Sequence, residues 1–247
     1  MAGALFMGGS ASGRGALPPP CAFWPPCAMM KVTMDPSAFI RAHTKLLPVA
    51  LVPEIRLYLA DAALPLWQKT EEELAAAHVP PPYWAFAWAG GQALARYLLD
   101  HAGVVAARRV LDVGAGGGIA AIAALKAGAA HVLAADIDTL ALAAIDLNGA
   151  ANGFRVATTA TDVLASPPPS CDLVLVGDLF YERSLAARVL KFLEAARAKG
   201  PDVLVGDPRR SYFPNDRFRL VAEYAVPVSR ELEDAEIKHT AVWRLAP

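Results

Sequence analysis

From about residue 90 onward, short runs of Val, Leu, Ile and Ala alternate with longer stretches of helical character, and this alternation constrains the fold more than any other feature. The expected order is a helix at 90–101, strand 108–113, helix 117–127, strand 131–136, helix 138–150, strand 154–159, strand 171–178, helix 182–198 and strand 202–207. Strands that read as continuous apolar runs are buried on both faces, which implies a mostly parallel sheet with helices on each side. Two further strands, 218–226 and 237–245, are separated only by PVSRELEDAE, so they should form an antiparallel hairpin. A chain of 247 residues suffices for one large α/β domain.

Ahead of this core, DPSAFIRAHTKL (35–46) offers an Asp cap, Pro at the first helical position and apolar residues near helical spacing. EIRLYLAD (54–61) is expected to be a strand, TEEELAAAH (70–78) a helix with acids in its first turn, and PPPYWAFAW (80–88) an aromatic lead into the first core helix. Together they form an N-terminal layer over 35–102, with the core over 103–247. Residues 1–34 mix Gly, Ser and Pro without periodicity and are expected to be a leader without order of its own. Prolines interrupt the apolar stretch a secretory signal needs, and Met29, Met30 and Met34 offer alternative starts for translation.

Composition narrows the partners. With 23 basic and 24 acidic residues the formal net charge is -1, which gives no electrostatic footprint for a polyanion, so nucleic acid is not the expected partner. No apolar run reaches the roughly 18 residues of a membrane span. Three cysteines, Cys21, Cys27 and Cys171, cannot all pair, which fits a reducing, cytoplasmic setting. The C-x5-C spacing and the scattered histidines give no metal signature, and no metal is expected.

The stretch VLDVGAGGGIAAIAA (110–124) closes the first core strand with a glycine loop, where an open parallel sheet binds its ligands. Two patterns compete there. A dinucleotide fingerprint G-x-G-x-x-G from Gly114 meets Ile119 at its third glycine, and can otherwise only be forced from Gly116 onto Ala121. D-x-G-x-G-x-G is satisfied by Asp112, Gly114, Gly116 and Gly118. An acid before the glycines suits a ligand bearing an amino group and would repel a pyrophosphate. Asp136, at the end of the next strand, can accept both hydroxyls of a ribose, which is common to several nucleotide cofactors.

The D-x-G-x-G-x-G pattern resembles motif I of the class I S-adenosyl-L-methionine-dependent methyltransferases. Five segments in order, PPYWAFAWAGGQALARYLL, DVGAGGGIAAIAA, ADIDTLALAAIDLNGAANG, VGDLFYE and VGDPRRSYFP, are similar to the electron-transfer-flavoprotein β-subunit lysine methyltransferases, which are related to nicotinamide-type small-molecule N-methyltransferases. The resemblance implies a seven-stranded Rossmann-like sheet, S-adenosyl-L-methionine as methyl donor, and a protein substrate, electron transfer flavoprotein β-subunit, methylated on lysine. A small-molecule amine is the alternative acceptor.

The resemblance also assigns residues. Asp112, Gly114, Gly116, Gly118, Asp136 and Ile137 would hold the donor, with Asp162 near its adenine, although Asp162 suits a helix or turn cap equally well. Trp84 and Trp88 would line the donor and acceptor pocket. In GDLFYE, Asp178 and Tyr181 match the D-x-x-Y pattern of the lysine-specific group and are the expected catalytic residues, with Phe180 as channel wall. DPR at 207–209 resembles the subgroup's D-P-x-R, a loop beside the substrate cleft with Asp207 as a substrate-site candidate. Nucleobase amino-methyltransferases carry two prolines where this chain has Leu179 and Phe180, which argues against a base as acceptor.

Overall fold

The computed structural model describes residues 35–60, 81–233 and 235–246, all within one unit, Met34–Pro247. The leader and the helix expected at 70–78 lie outside the described residues.

The core strands are β3 (Arg109–Val113), β4 (His131–Ala135), β5 (Ala157–Thr159), β6 (Leu173–Gly177), β7 (Asp202–Asp207), β8 (Phe218–Pro227) and β9 (Ile237–Leu245). They form one sheet in the order β5-β4-β3-β6-β7-β9-β8. The first five in that order run parallel, and β9 is antiparallel to both β7 and β8. The expected C-terminal hairpin is therefore present, with its second strand inserted next to β7. Strand order reverses between β3 and β6, so the chain leaving β3 turns to one side and the chain leaving β6 to the other. The crevice between them is where such sheets bind ligands.

Helices α2 (Ala89–Asp100), α3 (Ile119–Lys126), α4 (Thr139–Ala151) and α5 (Arg183–Ala198) connect the strands. Residues Ile119 to Ala124 of α3 are all buried, so this helix is apolar on every side because it is sheathed on every side. Alanine lets it approach the sheet closely. The two faces of the sheet carry separate cores. One holds Leu94, Leu98, Ile122, Leu173 and Leu204, and the other Leu111, Val174, Phe180, Leu193 and Trp243.

Two sequence expectations change. Helix α1 (Pro36–His43) has its Asp35 cap, accepting from Ser37 N–H at 3.0 Å, but it stops three residues earlier than expected. Thr44 is extended, its hydroxyl turning back to Ile40 C=O at 2.6 Å, and residues 45–48 become strand β1 (Lys45–Pro48), paired antiparallel with β2 (Arg56–Leu59). A β partner supplied from outside the local window overrides helical spacing here. Strand 154–159 shortens to β5, because Phe154 N–H is spent closing α4 onto Gly149 C=O. Among the described residues no helix is long and apolar enough to cross a membrane.

Candidate active site at the strand switch point

The loop after β3 is built from left-handed glycines. Gly114, Gly116 and Gly118 have φ of 64°, 52° and 81°, a region that side-chain-bearing residues rarely adopt. A Cβ on Gly117 would lie 2.8 Å from Trp84 C=O, so the chain before α2 covers the loop by direct backbone contact. Asp136, at the end of β4, accepts from Gly116 N–H at 2.8 Å and from Asp138 N–H at 3.0 Å. These two bonds fix its carboxylate beside the glycines while leaving acceptor capacity for hydroxyls. The next residue, Ile137, is 72% exposed, an apolar side chain held open at the crevice edge. Bare backbone, a fixed carboxylate and an exposed aliphatic surface suit a nucleoside with vicinal hydroxyls and a planar base.

Across the crevice, Asp178 leaves β6 with φ of 60°. Helix α2 begins at Trp88, whose side chain provides no cap bond, and Asp178 fills that role from 87 residues away: its Oδ2 accepts from Gly91 N–H at 2.9 Å. The approach needs paired glycines. A Cβ on Gly90 would lie 2.1 Å from Gly206 C=O and 2.6 Å from Asp178 Oδ2, and one on Gly177 would lie 3.2 Å from Gly91 Cα. Arg210 donates to the other oxygen, Oδ1, from Nη2 at 2.6 Å and from Nε at 3.1 Å. Burial, with the Glu233 charge beside it, holds the Asp178 carboxyl above its ordinary value, and the Arg210 charge and hydrogen bond and the Gly91 N–H offset part of that rise.

The two loops touch. A Cβ on Gly114 would lie 2.7 Å from the Leu179 side chain, so the segment after β6 rests on the glycine loop after β3. Tyr181, 46% exposed, lies beside Tyr83 with ring centroids 5.9 Å apart, and Tyr83 in turn lies 6.0 Å from Trp88. These three rings form an aromatic rim. Burial raises the Tyr181 phenol further above its ordinary value, so it stays protonated in the neutral range. A cavity of about 270 Å³ opens next to it, lined by Tyr181, Pro208, Arg209, Arg210, Ser211 and Lys238.

Several sequence-derived roles move. Phe180 is fully buried and packs edge-on against Phe213 at 5.2 Å and Phe218 at 6.1 Å, so it belongs to the core and not to a channel wall. In a strand exit, alternate side chains face opposite ways, and Tyr181 takes the open side. Trp84 is 2% exposed, packed with Ile40, Ala141 and Leu147 under α4. Its backbone, not its ring, meets the glycine loop. Asp112 is also buried, with Oδ2 accepting from Ala121 N–H at 3.0 Å. It anchors the start of α3, and burial pushes its carboxyl up to about 7. Asp162 caps the turn Val163–Ala165 through Leu164 N–H and pairs with Arg188, which is the capping role. Asp207 has no exposed surface. Its Oδ1 accepts from Arg210 N–H at 2.7 Å, and burial pushes its carboxyl up to about 7, so it shapes the loop from below.

Residues not singled out from sequence complete the site. Asn148, fully buried in α4, accepts from Tyr58 N–H at 2.7 Å and donates to Gly117 C=O at 2.8 Å, joining the N-terminal layer to the glycine loop. A lone amide inside an apolar helix was its only signal. Arg210 stands at the arginine position of D-P-x-R counted from Asp207, and the GG of AGGQ stood in plain view, but only the folded packing shows what each one meets.

A family model described as ribosomal protein L11 methyltransferase (PrmA) matches residues 92–176, the stretch from α2 to β6. The electron transfer flavoprotein beta subunit lysine methyltransferase of Danio rerio is 39% identical over 201 residues, covering 79% of this chain and 77% of that protein. The Homo sapiens protein of the same name is 35% identical over 226 residues, covering 87% and 84%. The chain belongs to the electron transfer flavoprotein β-subunit lysine methyltransferase family. It is a methyltransferase. Among solved structures, a ribosomal protein L11 methylase from Lactobacillus delbrueckii subsp. bulgaricus aligns at 25% identity with a TM-score of 0.46, over 65% of this chain and 81% of that one. In this lysine methyltransferase family member, Leu179 rests against Gly114 of the glycine loop, and α2 packs on one face of the sheet against β6, β7 and β9.

Proposed function

We propose that the chain transfers methyl groups from S-adenosyl-L-methionine to lysine side chains of a protein, and that this protein is an electron transfer flavoprotein β-subunit, the substrate in the relatives' names. One observation carries the reading: the Leu179 side chain rests against Gly114, so the segment bearing Asp178 and Tyr181 borders the ligand loop directly. Donor and acceptor can then share one crevice, and alignment of the reacting groups is the main demand of an in-line displacement.

When bound, the donor supplies a methyl group on a sulfonium. The chain's own residues do the rest. Asp136 accepts from the ribose hydroxyls, Ile137 covers a face of the base, and the left-handed glycines let the backbone approach without Cβ collisions. Tyr181, Tyr83 and Trp88 exclude water around the acceptor. A lysine amine has an ordinary pKa of about 10.4, and desolvation between aromatic walls lowers it. Asp178 keeps lone pairs beyond those used by Gly91 and Arg210, and orients the amine with them.

Incubation with labelled donor and purified flavoprotein subunit should add methyl increments to lysine-containing peptides, and Asp178→Asn should abolish them while donor-product binding persists. Label confined to small metabolites would replace the protein acceptor by a small amine.

A further inference from the structure

The Arg210 side chain is engaged on several sides. Its guanidinium gives two hydrogen bonds to Asp178 Oδ1, at 2.6 and 3.1 Å, and a third to Glu233 Oε1 at 3.0 Å. It lies over the Trp88 ring with Cζ 5.7 Å from the centroid, and its own N–H is held by Asp207 Oδ1 at 2.7 Å. Glu233 comes from the β8–β9 connection and is itself buried, with Lys238 Nζ 3.5 Å from its other oxygen. One side chain thus ties together the exits of β6 and β7, the entry of α2 and the outer hairpin.

We propose that Arg210 is a positioning residue of the methyl-transfer site, which fixes the direction of the Asp178 carboxylate and keeps it charged while it holds the acceptor amine. This rests on the reading of Asp178 as the acceptor-site acid. A carboxylate at a strand exit with left-handed backbone could swing; here Gly91 N–H holds one oxygen and the planar guanidinium fork holds the other, so the plane of the group is set. The charge follows from the same contacts. Asp178 is faced by Gly91 of α2, by Arg210 and Asp207 from the end of β7, and by Glu233 from the β8–β9 connection. Burial and Glu233 favour its neutral form, and Arg210 is the single cation opposing them among these groups. A protonated Asp178 would offer the amine one fewer acceptor and no countercharge.

The same guanidinium holds Trp88, which belongs to the aromatic rim. Losing Arg210 should therefore affect catalysis more than donor binding, because its side-chain hydrogen bonds go to Asp178 and Glu233, while Asp136 is held by Gly116 and Asp138.

The test compares wild type with Arg210→Met, Arg210→Lys and Asp178→Asn in the full chain, using the flavoprotein subunit as acceptor and measuring kcat/KM across pH. S-adenosylhomocysteine calorimetry on each variant confirms a folded donor site. The acceptor lysine titrates identically for all variants, so the ratio of wild-type to variant rate isolates Asp178. For Arg210→Met the ratio should be about tenfold or more at pH 7 and fall as pH rises, as the carboxyl regains its charge. Arg210→Lys keeps the charge but not the fork, so its ratio should be smaller and nearly independent of pH. A ratio for Arg210→Met that stays flat across pH, with Asp178→Asn inactive, overturns the inference and leaves the acid's role standing. If Asp178→Asn retains activity, the acceptor-site reading itself fails and the inference falls with it. Should Arg210→Met not fold, a lysine variant with a pH-dependent deficit equally overturns it.

Discussion

Gly90→Ala separates local from tertiary effects with opposite signs. Gly90 is the second residue of α2, with helical backbone, and alanine in a helix is favoured over glycine by about 1 kcal/mol, so local propensity alone makes the substitution stabilising. The packing says otherwise. The new Cβ would lie 2.1 Å from Gly206 C=O, where contacts under 3.0 Å are essentially never seen, and the obstructing atom is backbone of a central strand. The helix start must retreat by about 1 Å, which costs about 1–3 kcal/mol as overpacking. The same Cβ would lie 2.6 Å from Asp178 Oδ2, so the retreat also loosens the Gly91 N–H bond to that carboxylate, worth about 1.5–3 kcal/mol. Net destabilisation should be about 3 kcal/mol, or a fall in Tm of about 6–12 °C for a domain of this size. Methyl transfer should fall further than the folded fraction does, because the displaced group is Asp178. Urea titration and a thermal scan measure the first effect, and specific activity at saturating donor measures the second. Gly103→Ala serves as control, since no atom lies within 4 Å of its Cβ position. A Gly90→Ala protein as stable as wild type or more so would refute the argument that glycine is required by the β7 contact.

Three further outcomes follow from other parts of the molecule. Phe180→Ala should cost about 3–5 kcal/mol of stability, while the remaining folded protein keeps its donor affinity; a change in acceptor KM without loss of stability would return Phe180 to the channel. Asn148→Ala leaves Tyr58 N–H and Gly117 C=O without their buried partner, and calorimetry should show weaker binding of S-adenosylhomocysteine together with a stability loss of about 2–4 kcal/mol. Asp112 and Asp207 both have carboxyls raised from 3.8 to about 7 by burial, so the folded state binds their protons more tightly than the unfolded state. Their stabilising contribution is therefore present at pH 4 and lost as pH rises through about 7, and denaturant midpoints should decline over that window, less steeply in Asp112→Asn.

The glycine loop was largely legible in the sequence because its information is local. A strand, an acid and glycines at alternate positions can adopt only a few conformations: Asp112 lies near the end of β3, Gly114, Gly116 and Gly118 form the turn into α3, and Asp136 follows β4. The physical roles were less legible. As a letter Asp162 suits a ligand or a cap equally well, and the fold gives it the cap bond to Leu164 N–H, while Asp112 is buried with its Oδ2 on Ala121 N–H. The acceptor side was visible as a motif but not as a mechanism, since the pattern D-x-x-Y does not say which ring after a strand exit turns inward.

The sequence by itself determined the alternation of strands and helices, the place of the glycine loop and the hairpin at the end, because periodicity and backbone freedom act over a few residues. Tertiary structure alone decided that Lys45 and Leu46 would leave a helix for a strand, that Phe180 would pack inside while Tyr181 stays open, and that Asp178 would accept from Gly91 N–H, 87 residues earlier, at the start of α2. It also decided that Arg210 would hold that carboxylate. Each of these depends on atoms far apart in the chain meeting within about 3 Å, and short-range patterns carry no record of such meetings.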